Sequence, residues 1–182
     1  MAKRIGKRTI ELTKKPHILS YAAIVGEKEH KGPIGHEFDA FSEDCRFGEK
    51  SFEKAESRLQ TDTVRLALKK GGFSEKDIDC IFAGDLLNQC IGSSFGLREF
   101  GLPFVGLYGA CSTMTLSLSM ASLMFDSGAA RKAVAVTSSH FCSAERQYRF
   151  PLEYGSQRTP TAQWTVTGSG AIVLGEEKEN SP

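Results

Sequence analysis

One of the five cysteines, Cys111, lies where a predicted strand turns sharply into a predicted helix. An apolar run at 104–107 precedes the small residues Gly109 and Ala110, and a long apolar segment follows up to about Ser127. The first turn of a helix has unpaired N–H groups, which together with the helix dipole favour negative charge. A cysteine there tends towards thiolate, which attacks carbonyl carbons. The corner therefore indicates either a nucleophile or a site for a carboxylate ligand.

Polar residues that follow two other predicted strands could face the same pocket. Asp85 and Asn88 come after a strand predicted at 78–83, and His140 follows one predicted at 132–138. In an open α/β sheet, ligands bind beyond the carboxyl ends of the strands. His140 could therefore lie beside Cys111, although a loop histidine with local hydrogen bonds is the alternative. Turn formation explains Asp85 and Asn88 without any function.

Two more groups lie near the C-terminus. Thr165 and Thr167 share one face of a predicted strand, where two hydroxyls suit a polar ligand, although threonine is also a common strand residue. A polar loop at 141–161 carries Arg146, Arg149 and Arg158 among aromatic residues. Arginine with aromatics is typical of protein interfaces and also of anion clamps. We interpret this loop as an interface, since loops of such length are usually functional.

Strands that alternate with helices predict the scaffold that holds these residues. The predicted elements are strands at 17–25, 78–83 and 132–138, helices at 51–70, 93–100 and 111–127, a long loop at 26–48, and two strands within 163–174 joined by a Gly-Ser-Gly turn. This order favours an α/β sheet whose central strands are covered on both faces.

Composition limits the classes of function. The chain has 182 residues, 40% of them hydrophobic, and a net charge of +1, which suits one soluble domain and gives no general attraction to nucleic acid. Its five cysteines form no Cys-x-x-Cys pair, which argues against a zinc site or a disulfide framework. No apolar run approaches the roughly 20 residues of a membrane-spanning helix. A basic arm at 1–15 is expected to be solvated, or to contact anionic lipid or an acidic partner.

Two segments resemble the thiolase-like superfamily, which includes thiolases and β-ketoacyl synthases. Gly109-Ala110-Cys111-Ser112-Thr113 is similar to the nucleophile corner of those enzymes, and the segment 167–174 is similar to their glycine-rich strand pair. Thr167 or its neighbour stands where those enzymes often have an acid. The resemblance implies a layered α/β/α fold with a mixed central sheet.

A closer resemblance is to the stage V sporulation protein AD family of endospore-forming bacteria. It rests on the segments 51–56, 83–89, 137–140 and 160–168 and on the cysteine corner. The resemblance implies a non-catalytic scaffold that binds dipicolinic acid as its calcium complex. It also implies a peripheral location at the spore inner membrane, partner proteins of the dipicolinate channel assembly, and a homodimer.

A thiolase-like subunit has two similar halves, and this chain resembles the first half only. We expect a basic arm at 1–16, a half-domain at 17–175 and a charged tail at 176–182. In the enzymes, the second half supplies the histidine that works with the nucleophile. An acyltransferase with Cys111 as nucleophile is therefore the alternative function, with an incomplete site in this chain.

The resemblance and the residues together predict a ligand pocket. Its expected members are Cys111, His140, Thr165, Thr167, Asp85 and Asn88, around a cavity made electropositive by main-chain amides. No resident metal or cofactor is expected, because the acids have no calcium-loop spacing. Calcium would arrive with the dipicolinate.

Overall fold

The N-terminal residues form a two-stranded hairpin, and six further strands form one mixed sheet. The protein is described here by a computed structural model, which covers residues 2–86, 90–154 and 157–176. The strands are β1 (Lys3–Arg4), β2 (Ile10–Glu11), β3 (His17–Gly26), β4 (Ala40–Ser42), β5 (Cys80–Asp85), β6 (Phe104–Gly106), β7 (Lys132–Ser139) and β8 (Gly168–Gly175). The order in the sheet is β4-β3-β8-β7-β5-β6.

The pairing of the strands brings several chain segments to one edge of the sheet. β5 runs parallel to β6 and β7, so the ends of these three strands point the same way. β8 is antiparallel to both β7 and β3, and its first residue, Gly168, pairs with Ser139 and with Val25. The carboxyl ends of β3, β5, β6 and β7 and the start of β8 therefore meet, as the sequence predicts for a ligand site.

Helices cover both faces of this sheet. The helices are α1 (Glu27–His30), α2 (Phe52–Gly71), α3 (Ile91–Leu97) and α4 (Thr113–Ser127). α2 packs Val64, Ala67 and Leu68 against one face, in a core that includes Ile81 and Ala83 of β5. The alternate residues of β5, Cys80 and Phe82, face the second core beneath α4. This period of two confirms a central strand that is buried on both faces.

The limits of α2 follow from its sequence. The hydroxyl of Ser51 accepts a hydrogen bond from the Lys54 amide at 3.3 Å, which is the usual N-terminal cap. Gly72 ends the helix at a φ of 69°, a left-handed conformation that glycine adopts without strain. The predicted α/β fold and its three main helices are confirmed, with ends that differ by a few residues.

Two predictions about irregular segments are wrong. The Gly-Ser-Gly turn expected within 163–174 lies inside β8, because hydrogen bonds to β7 on one side and β3 on the other keep Gly168–Gly175 extended. The loop expected at 26–48 contains α1, a 3-10 turn at Gly35–Glu37 and β4, which pairs with β3. In the described residues of the loop at 141–161, the regular structure consists of 3-10 turns and a bridge between Phe150 and Gln163.

Candidate functional site

The cysteine corner is a tight turn between β6 and α4. The Leu107 amide donates to the Ala83 carbonyl at 2.8 Å, and the Thr113 hydroxyl donates to the Ala110 carbonyl at 2.8 Å. Ala110 has a φ of +47°, which is unusual for a residue with a side chain and costs about 1 kcal/mol or more. Strained residues of this kind cluster at active sites and ligand sites, so Ala110 marks this corner as a candidate site. The side chain of Cys111 is exposed.

Gly84 allows this corner to lie against β5. A β-carbon at position 84 would be 2.0 Å from the Leu107 carbonyl oxygen and 2.6 Å from the Thr113 methyl group. Any other residue would displace the corner, so the glycine before Asp85 serves close packing.

A cavity of about 530 Å³ opens beside the exposed sulfur. Four of the six predicted site residues line it: Cys111, Asp85, Thr165 and Thr167. Asn88 lies outside the described residues. The two threonines come from an extended segment that leads into β8, although this segment is not a strand as predicted. We call this space the Cys111 cavity.

His140 does not line the Cys111 cavity, contrary to expectation. Its side chain is fully buried, its Nε2 atom lies 2.7 Å from the Cys45 carbonyl oxygen, and its Nδ1 atom accepts from the Cys142 amide at 3.1 Å. Burial lowers the pKa of His140, so the neutral ring with the proton on Nε2 fits both bonds. The histidine therefore fixes the start of the loop after β7. It reaches the cavity only through its carbonyl, which accepts from Thr165.

Asp85 is a buried site residue that does line the Cys111 cavity, and α3 holds it. The amide and the hydroxyl of Ser93 both donate to its Oδ2 atom, at 2.7 and 2.6 Å. The side chain of Gln60 donates to the Ser93 and Ser138 hydroxyls, at 3.0 and 2.9 Å. Asp85 and Ser138 also line the Cys111 cavity, so a hydrogen-bonded network connects its wall to α2.

Two buried acids behind this wall were missed from the sequence. Glu56 accepts a hydrogen bond from the Ser138 hydroxyl at 2.7 Å, and Glu145 accepts one from the His140 amide at 2.9 Å. Burial, reinforced by Glu145, raises the pKa of Glu56 to about 9, and burial raises the pKa of Glu145 to about 7. The signal that could have found Glu56 is its place between Ala55 and Leu59 on the apolar side of α2.

The charged side chains around the Cys111 cavity are acids. Among the described lining residues these are Glu29 and Asp85, and no lysine or arginine is present. Glu29 is held in place because its Oε1 atom accepts from the Thr167 amide at 3.0 Å. Any positive potential in the cavity must therefore come from main-chain amides, as the sequence argument proposed, without help from basic side chains.

The arginines of the long loop have different roles. The guanidinium of Arg149 is only 9% exposed, donates to the Phe141 and Cys142 carbonyls at 2.5 and 3.2 Å, and lies 3.8 Å from the centre of the Trp164 ring. Arg149 therefore stabilises the loop from within. It does not present its charge at the surface, as the interface interpretation of the sequence would require. Arg146 and Arg158 are exposed.

Comparison with solved structures identifies the class of fold. The chain is similar to 3-oxoacyl-[acyl-carrier-protein] synthase III from Aquifex aeolicus VF5, with a TM-score of 0.59 and 13% sequence identity. The match covers 90% of this chain and 55% of the synthase. OleA from Xanthomonas campestris, solved as C143S with lauric acid and lauroyl-CoA, gives 0.59 at 15% identity over 90% and 57%. Identities this low show the fold alone, and that fold is thiolase-like.

The sequence comparisons identify the family more narrowly. The family model for stage V sporulation protein AD matches residues 6–182, and the chain therefore belongs to that family. Stage V sporulation protein AD of Bacillus subtilis strain 168 is 42% identical over 174 residues, which are 96% of this chain and 52% of that protein. The chain thus spans about half the length of this curated relative.

Within residues 2–86, 90–154 and 157–176, none of the helices combines the length and apolar character needed to cross a bilayer. The same residues hold no cluster of three or more histidines, cysteines or acids suited to a metal ion.

Proposed function

We propose that this chain is a non-catalytic, ligand-binding component of the machinery that loads dipicolinic acid into the developing endospore. The supporting observation is the Cys111 cavity, which lies at the edge of the sheet where ligands of α/β proteins bind. Its volume of about 530 Å³ lies within the range of small-molecule sites and exceeds what a single pyridine ring with two carboxylates needs. The hydroxyl of Thr167 can donate a hydrogen bond to a carboxylate, whereas that of Thr165 already donates to the His140 carbonyl at 3.3 Å.

The acids of the cavity favour the calcium complex over the bare ligand. Dipicolinate alone carries two negative charges, which Glu29 and Asp85 would repel, whereas bound calcium offsets those charges. Calcium takes six to eight oxygen ligands, and dipicolinate can supply only some of them. Glu29 is the half-buried acid that could add one. Calcium is in this proposal part of the cargo, and we propose no resident cofactor.

Calorimetry with and without calcium tests this proposal. We expect the calcium complex to bind about tenfold more tightly than dipicolinate in a chelator. Glu29→Gln should remove most of that difference, because it takes away the negative charge that favours the cation. Glu75→Gln is the matched control, since this exposed acid lies outside the Cys111 cavity. Tighter binding of the metal-free ligand to the Cys111 cavity would contradict the proposal.

An acyltransferase with Cys111 as nucleophile is the second candidate. The exposed sulfur and the strained Ala110 favour it, since active-site corners often store strain. However, among the described residues no imidazole forms a hydrogen bond to Cys111, and His140 is engaged elsewhere. A lasting acyl adduct on Cys111 after incubation with an acyl-CoA, detected by mass spectrometry, would favour the enzyme.

A homodimer is part of the proposal, formed through the edge strand β6. Within the described residues β6 pairs only with β5, and its residues Phe104 and Val105 are exposed. Exposed strand edges pair readily with another chain. We expect Val105→Lys to convert the dimer to a monomer in sedimentation experiments, because lysine on an edge strand opposes pairing. Val166→Lys, at an exposed site in another segment, should leave the dimer intact, and an unchanged dimer in both variants would count against this interface.

We also propose a peripheral position at the spore inner membrane, beside the other proteins of the dipicolinate channel assembly. The exposed N-terminal hairpin carries Lys3, Arg4, Lys7 and Arg8, which suit anionic headgroups. The Lys14 amide donates to Asp126 at 2.6 Å, which ties the arm to the end of α4.

A further inference from the structure

A second cleft of about 480 Å³ adjoins the Cys111 cavity. The two spaces share Thr165, Val166, Thr167 and Glu29 among their lining residues. The rings of Trp164 and Phe141 also line this second cleft, which we call the Trp164 cleft. Neither the aromatic rings nor the basic residues near them have a role in the function proposed above.

The aromatic wall of the Trp164 cleft is built and supported from within the fold. The rings of Phe141 and Trp164 are nearly parallel, 25° apart, with centres 6.0 Å from each other. Phe141 also stacks on the buried His140 ring, at 4.8 Å. Arg149 holds the Trp164 ring at 3.8 Å while its Nη2 atom donates to loop carbonyls. Flat rings fixed in this way provide a stacking surface for a planar ligand.

Two exposed cations stand at this wall. The Lys28 ammonium is 5.8 Å from the centre of the Phe141 ring and 5.9 Å from that of Trp164. The Arg158 guanidinium is 5.3 Å from the Trp164 ring. Within the described ranges, neither Lys28 nor Arg158 forms a salt bridge, and their charges remain open to an anion. Arginine and lysine beside an aromatic surface suit a carboxylate on a planar ring.

Three acids also line the Trp164 cleft, so the two cations act through their position beside the rings and not through a net positive charge. Glu27 forms a salt bridge with Lys31, and the Oε1 atom of Glu29 accepts from the Thr167 amide at 3.0 Å. Glu43 is exposed at the rim. The Trp164 cleft thus has cations beside its rings, whereas the Cys111 cavity has charged side chains of acidic type only.

We propose that the Trp164 cleft is a second binding site, which takes the metal-free anion of a planar aromatic carboxylic acid. The ring stacks on Trp164 and Phe141, and the carboxylates pair with Lys28 and Arg158. Dipicolinate is the ligand of this class that the proposed function supplies, and the choice of probe rests on that function. The molecule then has two adjoining sites of opposite preference, one for the anion and one for its calcium complex.

The fluorescence of Trp164 reports directly on this site, because the chain has only one tryptophan. Metal-free dipicolinate is titrated in a chelator, with excitation at the red edge of the tryptophan band. We expect a saturable change in Trp164 emission. The pair Lys28→Gln with Arg158→Gln should weaken the apparent affinity about tenfold or more, since each substitution removes a charge-assisted contact. Lys54→Gln with Arg98→Gln, two cations of another surface groove, is the matched control.

Variants of the other site separate the two proposals. Cys111→Phe obstructs the Cys111 cavity and adds no tryptophan, so it should leave the Trp164 titration unchanged. Lys28→Arg with Arg158→Lys keeps both positive charges and should retain the signal. A titration that is insensitive to the charge variants but abolished by Cys111→Phe would overturn the second site and leave the proposed function standing. Absence of any saturable change would also overturn it. A charge-sensitive titration without calorimetric binding of the calcium complex would support the second site and remove the proposed function.

Discussion

Glu56→Gln is expected to make the protein roughly 2 to 4 kcal/mol more stable at pH 8. Burial, and then the nearby Glu145, raises the pKa of Glu56 from 4.5 to about 9. A raised carboxyl pKa means that the folded state binds the proton more tightly than the unfolded state. The stability from this proton is fully present below pH 4.5 and falls as the pH rises towards 9, by roughly 1 kcal/mol per pH unit.

Glutamine resembles the protonated acid and does not ionise, so the variant should lose most of this slope. Urea unfolding of both proteins between pH 7 and pH 9 measures this slope, because Glu145, whose pKa burial raises to about 7, also loses its proton at lower pH. Glu53→Gln, exposed one turn earlier on α2, should leave the slope unchanged. A wild-type stability that rises over this range, or a variant with the same slope, would show that Glu56 is not a buried neutral acid.

Cys111→Phe is expected to weaken binding of the calcium dipicolinate complex about a hundredfold or more. The sulfur lies at the mouth of the cavity, and a benzyl group in its place would occupy the volume that the ligand needs. A hundredfold loss corresponds to about 2.7 kcal/mol of binding free energy. Isothermal titration calorimetry with preformed complex measures the affinity.

The controls for this substitution separate blocking from loss of the sulfur. Ser119→Phe places the same group at an exposed position two turns along α4 and should bind as the wild type does. Cys111→Ala should change the affinity only a few-fold, because no hydrogen bond from this thiol is part of the described site. Equal affinity of wild type and Cys111→Phe would exclude the Cys111 cavity as the ligand site.

The sequence predicts those parts of the site that are determined by residues close together along the chain. The apolar stripe of α2, with Ser51 before it and Gly72 after it, defines the helix without knowledge of its neighbours. The turn at Cys111 follows in the same way from small residues between a strand and a helix. Because parallel strands end at one edge, Asp85 and Cys111 could be expected to meet, and both line one cavity.

The features that the sequence does not predict depend on contacts between residues that are distant in sequence. His140 turns into the interior because its ring bonds the carbonyl of Cys45, 95 residues earlier. Glu56 and Glu145 come together from a helix and a loop, and their pKa values rise through burial that no local pattern reveals. β8 remains extended through its glycines because it is paired on both sides, which overrides their preference for turns.

A crystal structure of the protein with calcium dipicolinate would show whether the Cys111 cavity is the ligand site. We expect density for the complex in the Cys111 cavity, between Cys111 and Thr167. The calcium ion should lie about 2.4 Å from a carboxylate oxygen of Glu29. An empty cavity at a saturating concentration of the complex, or density for it only at another site, would show that the Cys111 cavity does not bind this ligand.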